Sequence, residues 1–170
     1  MFYGVWGFYV MYRLFELVIS KRNDKAHDFF EVGKEQKKYM MFIHISWFLA
    51  LFFEYLYRGA DLKLNMLNIF IIVLLFLSAV LRYLSMRELK DMWSTSVYLI
   101  EEERIVRTGI YKYFRHPNYF AVILEIFLIP FLFKLNITAV VFTILNGIFL
   151  YKRMSLENSI LKGEYYERFK

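Results

Sequence analysis

The ten residues from Tyr111 to Phe120 read YKYFRHPNYF, and the apolar run AVILEIFLIPFLF continues from there. A topological anchor at the edge of a membrane segment needs only Lys or Arg. The added imidazole, amide and phenol are groups that hold and orient polar ligands. Pro117 suits the first turn of a helix, where its missing N–H has no partner to lose. The residue before a proline disfavours helix, so His116 is expected to be extended. The helix starting at Pro117 leaves amide donors unpaired at its beginning. Together with the helix dipole, Arg115 and His116, those donors make an anion-receptive corner.

A second polar cluster lies near the end of the chain, in YKRMSLENSILKGEYYERF. Arg153 and Glu157 stand four apart and share one face of a helix. By themselves they read as a surface ion pair of little energetic weight. Elsewhere, Arg13 and Glu16 are spaced to pair within one helix, and Glu125 is placed to pair with Arg82 or to face a cavity. His44 and Glu54, with His27, lack the spacing of metal ligands, so no metal site is expected. The chain has 0 Cys, which removes disulfides, thiolate sites and cysteine nucleophiles. It also lacks the Gly-x-Gly-x-x-Gly run of soluble dinucleotide-binding folds.

The elements that must position these clusters are apolar. With 59% hydrophobic and 21% aromatic residues and only 2 Pro and 7 Gly in 170 residues, the composition points to a single all-α domain, 1–170, embedded in a membrane. Five segments are expected to cross the bilayer, over about 2–20, 39–57, 64–83, 117–133 and 137–151. Charges inside the first segment and the absence of a small-residue cleavage pattern argue against a signal peptide. Pro130 is expected to kink or end the fourth helix. Only Lys134, Leu135 and Asn136 separate the last two, which predicts a tight hairpin bringing the start of the fourth helix beside the end of the fifth. The two polar clusters then share one side of the membrane. Basic residues collect after the first, third and fifth segments (Lys21, Arg22, Lys25, Lys34, Lys37 and Lys38; Arg87, Lys90, Arg104, Arg107, Lys112 and Arg115; Lys152, Arg153, Lys162, Arg168 and Lys170). The alternate connections hold only Arg58 with Lys63, and Lys134. This asymmetry predicts an outside N-terminus and a cytoplasmic C-terminus. The net charge of +6 therefore suits an anionic membrane surface rather than nucleic acid. Trp47, Trp93 and the many tyrosines are read as interface aromatics. The stretch from Met86 to His116, with a turn at Thr108-Gly109, is too long for a bare connector and is read as a functional segment.

The pattern Gly109-Ile-Tyr111-Lys-Tyr-Phe-Arg115-His116-Pro117-Asn-Tyr119, followed by a hairpin and then Arg153-x-x-x-Glu157, resembles the isoprenylcysteine carboxyl methyltransferase family of small membrane enzymes. The likeness is closest over 93–170, expected to be the cofactor-binding and catalytic part. RLFELVISKRN, at residues 13–23, is similar to the first helix of a bacterial branch that includes alkylpyrone O-methyltransferases. The resemblance implies S-adenosylmethionine as cofactor and a bacterial inner membrane as location, with the endoplasmic reticulum as the alternative. It implies a lipophilic acceptor: a prenylcysteine carboxylate or a long-chain phenol or enol such as an alkylpyrone, with an amine headgroup as a further alternative. It further implies that Ile105, Val106, Gly109, Tyr111, Arg115, His116, Pro117 and Tyr119 contribute to cofactor binding, with backbone at Ile105 and Val106 beside the adenosine. Arg153 would orient the acceptor oxygen, and Glu157 would hold Arg153 or the cofactor amine. A carboxylate acceptor needs no base, whereas a hydroxyl needs one, for which Glu157 or His116 is the candidate. Related enzymes commonly carry paired acids where this chain has Glu157-Asn158. Two other readings share parts of the pattern: an NADPH-dependent sterol-type reductase, usually longer with more spans, and a non-catalytic membrane lipid-binding or transport protein.

Overall fold

The computed structural model describes residues 1–26, 30–59, 62, 64–99 and 105–161. His27, Lys63, Arg104 and the tail charges Lys162, Arg168 and Lys170 lie outside the described residues. Five helices make up nearly all of the fold: α1 (Phe2–Ala26), α2 (Lys34–Arg58), α3 (Met66–Leu89), α4 (Pro117–Leu132) and α5 (Asn136–Leu161). Single 3-10 turns occupy Lys90–Met92 and Gly109–Lys112. A two-residue antiparallel ladder, β1 (Glu31–Val32) with β2 (Val97–Tyr98), pairs Glu31 with Tyr98 and Val32 with Val97. It ties the link after α1 to the link after α3.

The helices outrun the apolar segments because their polar continuations still favour helix. Hydropathy stops at about Ser20, Tyr83 and Tyr151, but the Lys, Glu, Leu and Met that follow lose little side-chain freedom on coiling. Stops come from particular residues. Gly59 ends α2 in the left-handed region at φ 58°, with its N–H on Tyr55 O. The Asn65 side chain accepts from the Asn68 N–H at the start of α3. Pro130 does not end α4, which runs two residues further. Leu135 N–H then returns to Pro130 O at 2.9 Å and Lys134 N–H to Phe131 O at 3.1 Å. That bond pair is the Schellman closure, and it normally carries Gly at its left-handed residue. Here Lys134 occupies it at φ 57°. The hairpin is as tight as the sequence predicts.

Helices α3, α4, α5 and α2 pack side by side in that order, and α1 touches α2 and the turn after α3. Trp47 and Leu51 from α2, Ile71 from α3, Ile126 and Ile129 from α4 and Leu150 from α5 fill the interior. Trp47 is therefore a core residue rather than an interface aromatic, because the packing of α2 on α5 encloses its indole; Trp93 is likewise buried. Phe2 stacks on Tyr55, ring centroids 3.8 Å apart, and meets Phe133 edge-on. Glu54 of α2 caps the start of α5. Its carboxylate accepts from Ile137 N–H at 3.2 Å, Thr138 N–H at 2.8 Å and the Thr138 hydroxyl at 2.7 Å. An anion at a helix N-terminus is favourable, which explains an acid inside an apolar helix.

Deeper in the bundle, two arginines and two glutamates join three helices. Arg13 reaches Glu16 at 3.0 Å and Glu125 at 2.6 Å. Arg82 grips both oxygens of Glu16 and meets Glu125 at 3.2 Å. Both pairings expected from the sequence form, and they form one network. The outer faces are apolar instead: Phe8, Met11, Phe15 and Val18 of α1, Phe42 and Phe53 of α2, Phe70 and Phe76 of α3, and Ile137, Val140 and Ile144 of α5 are exposed. Soluble monomers rarely expose so much contiguous apolar surface. Helices α2, α3 with its following turn, and α5 are each long and apolar enough to cross a membrane.

Candidate functional site

The link after α3, the start of α4 and the end of α5 meet where the hairpin predicts. His116 precedes Pro117 with φ −131° and ψ 63°. The φ is extended as proline demands, but ψ falls short of the β range, so the His116 carbonyl turns inward and accepts from Tyr119 N–H at 3.2 Å. That bend aims both the imidazole and the Tyr119 ring at α5. The rings stack with centroids 5.3 Å apart and planes 13° apart.

On α5, Arg153 is buried to 6% exposure. Its Nε donates to the Tyr119 hydroxyl at 2.6 Å and to Glu157 Oε1 at 3.2 Å, and Nη2 points to the Ser96 carbonyl at 3.5 Å. The Tyr119 hydroxyl donates to Glu157 Oε1. The guanidinium carbon stands 5.6 Å from the Tyr119 ring centre, a cation–π contact. Among the described residues Nη1 has no partner, although Arg153 lines the cavity described below. The fixed cation therefore keeps one donor pair in reserve.

His116 is clamped at both nitrogens. Nδ1 lies 3.3 Å from Glu157 Oε2 and Nε2 lies 3.0 Å from Asn158 Oδ1. Arg115 also donates to Asn158 Oδ1, at 3.4 Å, which fixes the amide with its oxygen toward both cations. Both contacts are to oxygens, so the clamp favours the protonated ring, in which both nitrogens donate. Burial alone would lower the His116 pKa; the hydrogen bonds to Glu157 and Asn158 and the Glu157 charge outweigh it and hold the pKa above its ordinary value. Asn158 is thus a neutral acceptor that makes the contact without adding a charge.

These groups form part of the wall of a cavity of about 1000 Å³, at the upper end of the about 300–1,000 Å³ usual for small-molecule sites. Ile105, Val106, Tyr111, Arg115, His116, Pro117, Tyr119, Arg153 and Glu157 all line it. Burial pushes the Tyr111 phenol up, so it stays a neutral hydrogen-bonding group. Gly109 stands behind the wall. Its φ is +55°, and a Cβ there would overlap the Glu88 carboxylate, so glycine lets the 3-10 turn seat against α3. Away from this polar mouth the cavity is lined by apolar side chains of α1 and α2, among them Leu14, Met41, Ile45 and Leu49, all of them exposed.

Several lining residues have no signal in the sequence. Trp93, Ser94 and Thr95 form a lip held by Asn23, whose amide donates to Trp93 O at 2.8 Å, and by Ser20, which meets Thr95 Oγ1 at 2.9 Å. Lys37 braces the next residue, donating to Ser96 at 2.6 Å. Arg13, Glu16 and Arg82 of the buried network and His44 of α2 complete the middle of the wall. Only the polar tail of α1 hints that it holds another loop.

The geometry can be set beside known proteins. YpbQ of Bacillus subtilis (strain 168), described as an uncharacterized protein, is 30% identical over 165 residues, 95% of this chain and 97% of that relative. An uncharacterized protein of Haemophilus influenzae is 32% identical over 112 residues, 64% of this chain, and the match spans 63% of that relative's length. No solved structure matches the chain. The isoprenylcysteine carboxyl methyltransferase (ICMT) family profile matches residues 70–163, which take in α4, α5, the clamped His116 and the Arg153–Glu157 pair. On that match, which covers more than half of the chain, the chain belongs to the isoprenylcysteine carboxyl methyltransferase family.

Proposed function

We propose that the protein is an S-adenosylmethionine-dependent O-methyltransferase acting on a lipophilic acceptor at a membrane interface. The observation that carries this reading is the Arg153–Tyr119–Glu157–His116 junction on the wall of a cavity whose far end opens among side chains of the apolar outer face. The residues suit the cofactor chemically. Glu157 offers a carboxylate to an ammonium, Arg115 and Lys112 offer cations to a carboxylate, and Trp93 and Tyr111 offer aromatic faces to adenine and sulfonium.

When bound, the cofactor supplies an electrophilic methyl on cationic sulfur, so the protein's task is placement. Holding nucleophile and methyl in near-attack geometry lowers such a barrier by roughly 7–11 kcal/mol. Tyr119, Glu157 and the Ser96 carbonyl immobilise the Arg153 guanidinium, leaving Nη1 to orient the acceptor oxygen. His116 fixes Glu157 by its second oxygen. The apolar end takes the acceptor's tail, each buried methylene contributing about 0.8 kcal/mol. A prenylcysteine carboxylate and a long-chain phenol or enol such as an alkylpyrone both have this build.

The charge distribution supports an outside N-terminus and a polar mouth in the cytoplasm, and the reading takes all five helices as spans of a bacterial inner membrane. In α1, Arg13 and Glu16 are paired inside the bundle, away from lipid. Helix α4, at 16 residues, is about 24 Å long by helical rise, shorter than the hydrocarbon core of about 30 Å, and packs between α3 and α5.

Titration of the purified protein with S-adenosylmethionine and with NADPH tests the cofactor. Mass spectrometry of lipids from membranes incubated with methyl-labelled cofactor tests transfer. Binding of the first and a labelled lipophilic product are expected; binding of NADPH instead, or of neither, refutes the reading. Arg153→Ala and Glu157→Ala are expected to keep helical content and lose transfer, and full activity in both would remove them from the site.

A further inference from the structure

We propose that Asp24 of α1 and Lys37 of α2 are positioning residues for methyl transfer. They hold the peptide 94–96 so that the Ser96 carbonyl sets the tilt of the Arg153 guanidinium. The proposal rests on the methyltransferase reading and extends its site to residues that precede the stretch 70–163 matched by the family profile.

Side chains from α1 and α2 converge on this peptide. Lys37 Nζ donates to Ser96 Oγ at 2.6 Å and lies 3.4 Å from Asp24 Oδ2 and 3.8 Å from Glu31 Oε1. The other oxygen of Asp24, Oδ1, accepts from the Ser94 hydroxyl at 2.6 Å. That hydroxyl oxygen in turn accepts from Ser96 N–H at 2.8 Å. Ser20 of α1 accepts from Thr95 N–H at 2.9 Å. One residue on, Val97 pairs with Val32 in the ladder. Ser96 is thus fixed through its N–H, its hydroxyl and the strand that follows. Its carbonyl faces Arg153 Nη2 at 3.5 Å.

A guanidinium is planar, and here its Nε–H is engaged by the Tyr119 hydroxyl and Glu157 Oε1. A hold at Nε alone leaves the plane free to tilt about that N–H direction. The tilt is set at Nη2, by the Ser96 carbonyl. At 3.5 Å the contact is long and stabilises little by itself. It gives a direction, and gives it only while the carbonyl is held in turn. Arg153 is 6% exposed and Ser96 7%, so bulk water does not stand in for either group. If the carbonyl swings away, Nη2 is released and Nη1, the donor left for the acceptor oxygen, moves with it. A misplacement of about 1 Å can cost about 100-fold in rate; with Nε still held, about tenfold is expected.

Lys37 lines the cavity, whereas Asp24 is not among the described lining residues. A direct contact between Lys37 and a ligand would make only the Lys37 substitution matter. A bracket makes the two residues equivalent.

The test uses the full chain in detergent with S-adenosylhomocysteine present. The variants are Asp24→Ala, Lys37→Met and Ser96→Ala; the last deletes one hydroxyl and keeps the question open to measurement should either charge variant fail to fold. NMR of isotope-labelled arginine reads the Arg153 guanidinium, identified by its loss in Arg153→Ala. Wild type is expected to show separate Nη1 and Nη2 signals, because a held Nη2 stops rotation about the Nε–Cζ bond, and the variants to show them merged. Without the inhibitor, transfer of labelled methyl to a farnesylated cysteine or a pentadecyl phenol is expected to fall about tenfold in kcat in each variant, with cofactor Kd within about twofold of wild type. Lys37→Arg keeps a cation for Ser96 and Asp24 and is expected to recover to within about threefold. Separate signals in the variants, unchanged kcat, a loss confined to Lys37→Met, or a loss seen only in cofactor Kd would overturn the proposal. Failure of wild type to bind S-adenosylmethionine would instead remove the methyltransferase reading, and the NMR comparison without ligand would still decide whether the bracket holds Arg153.

Discussion

Glu125 anchors the charge network that joins α1, α3 and α4, and the geometry separates its charge from its hydrogen bonds. One oxygen, Oε2, receives both Arg13 at 2.6 Å and Arg82 at 3.2 Å, while Oε1 has no partner. In Glu125→Gln the amide oxygen can take the place of Oε2 and the NH2 that of the idle Oε1. The variant keeps both contacts and deletes one negative charge. Two arginines and two glutamates sum to zero, so the substitution leaves +1 in a site where the Glu125 side chain is 0% exposed. Breaking a buried pair typically costs about 3–5 kcal/mol; with the hydrogen bonds kept, about 3 kcal/mol is expected. At about 2–4 °C per kcal/mol for a chain of this size, the midpoint falls by about 6–12 °C. Adding Arg13→Met restores neutrality and leaves the Glu16–Arg82 pair intact, so the double variant should recover at least about 1 kcal/mol relative to simple additivity. The assay is thermal unfolding in detergent followed by circular dichroism, on wild type, both singles and the double. A loss below about 1 kcal/mol in Glu125→Gln, or strict additivity in the double, would refute the view that net charge, rather than hydrogen bonding, makes this network fragile.

Two further outcomes follow from local geometry. Lys134→Gly places at φ 57° the residue that the Schellman closure favours, and should stabilise by about 1 kcal/mol, read as a rise of the same midpoint; a fall would mean that Lys134 makes a contact of greater weight. Asn158→Asp puts an anion on His116 Nε2 and should raise the imidazole pKa further, measured by NMR titration of the ring. The His116 pKa is already raised in the fold, so its stabilising effect is complete below its unfolded value of about 6.5 and is lost as pH rises through the folded value. The variant should extend that stabilised window to higher pH, and an unchanged upper limit would contradict the clamp.

The polar clusters were legible because each is local. Helical spacing puts Arg153 and Glu157 on one face, proline marks where α4 begins, and a three-residue link leaves the last two helices no arrangement except a hairpin. What escaped reading depends on which helices touch. His44 joins the site because α2 lies on α5, and no feature near His44 signals that packing. Trp47 carries the residue type of an interface anchor, yet the same contact buries it. The ladder of Glu31–Val32 with Val97–Tyr98 is too short to leave an alternating pattern. Hydropathy also set the helices too short, since it reports where lipid is tolerated and backbone propensity decides where coiling stops.

Asn158 bears on the kind of ligand the polar mouth can hold. With His116 protonated, the groups drawn into the interior there are two cations, His116 and Arg153, and one anion, Glu157, while Arg115 is exposed and screened by water. A second carboxylate at 158 would make that balance zero. The amide leaves it at +1 without giving up the contacts to His116 and Arg115. The surplus lies beside Nη1 of Arg153, where it would favour an anionic oxygen of a ligand. A ligand with an ionisable oxygen at one end and a long apolar tail at the other satisfies both ends of the cavity. A fully apolar ligand leaves the surplus charge unanswered, and a small polar one leaves the α1–α2 opening empty.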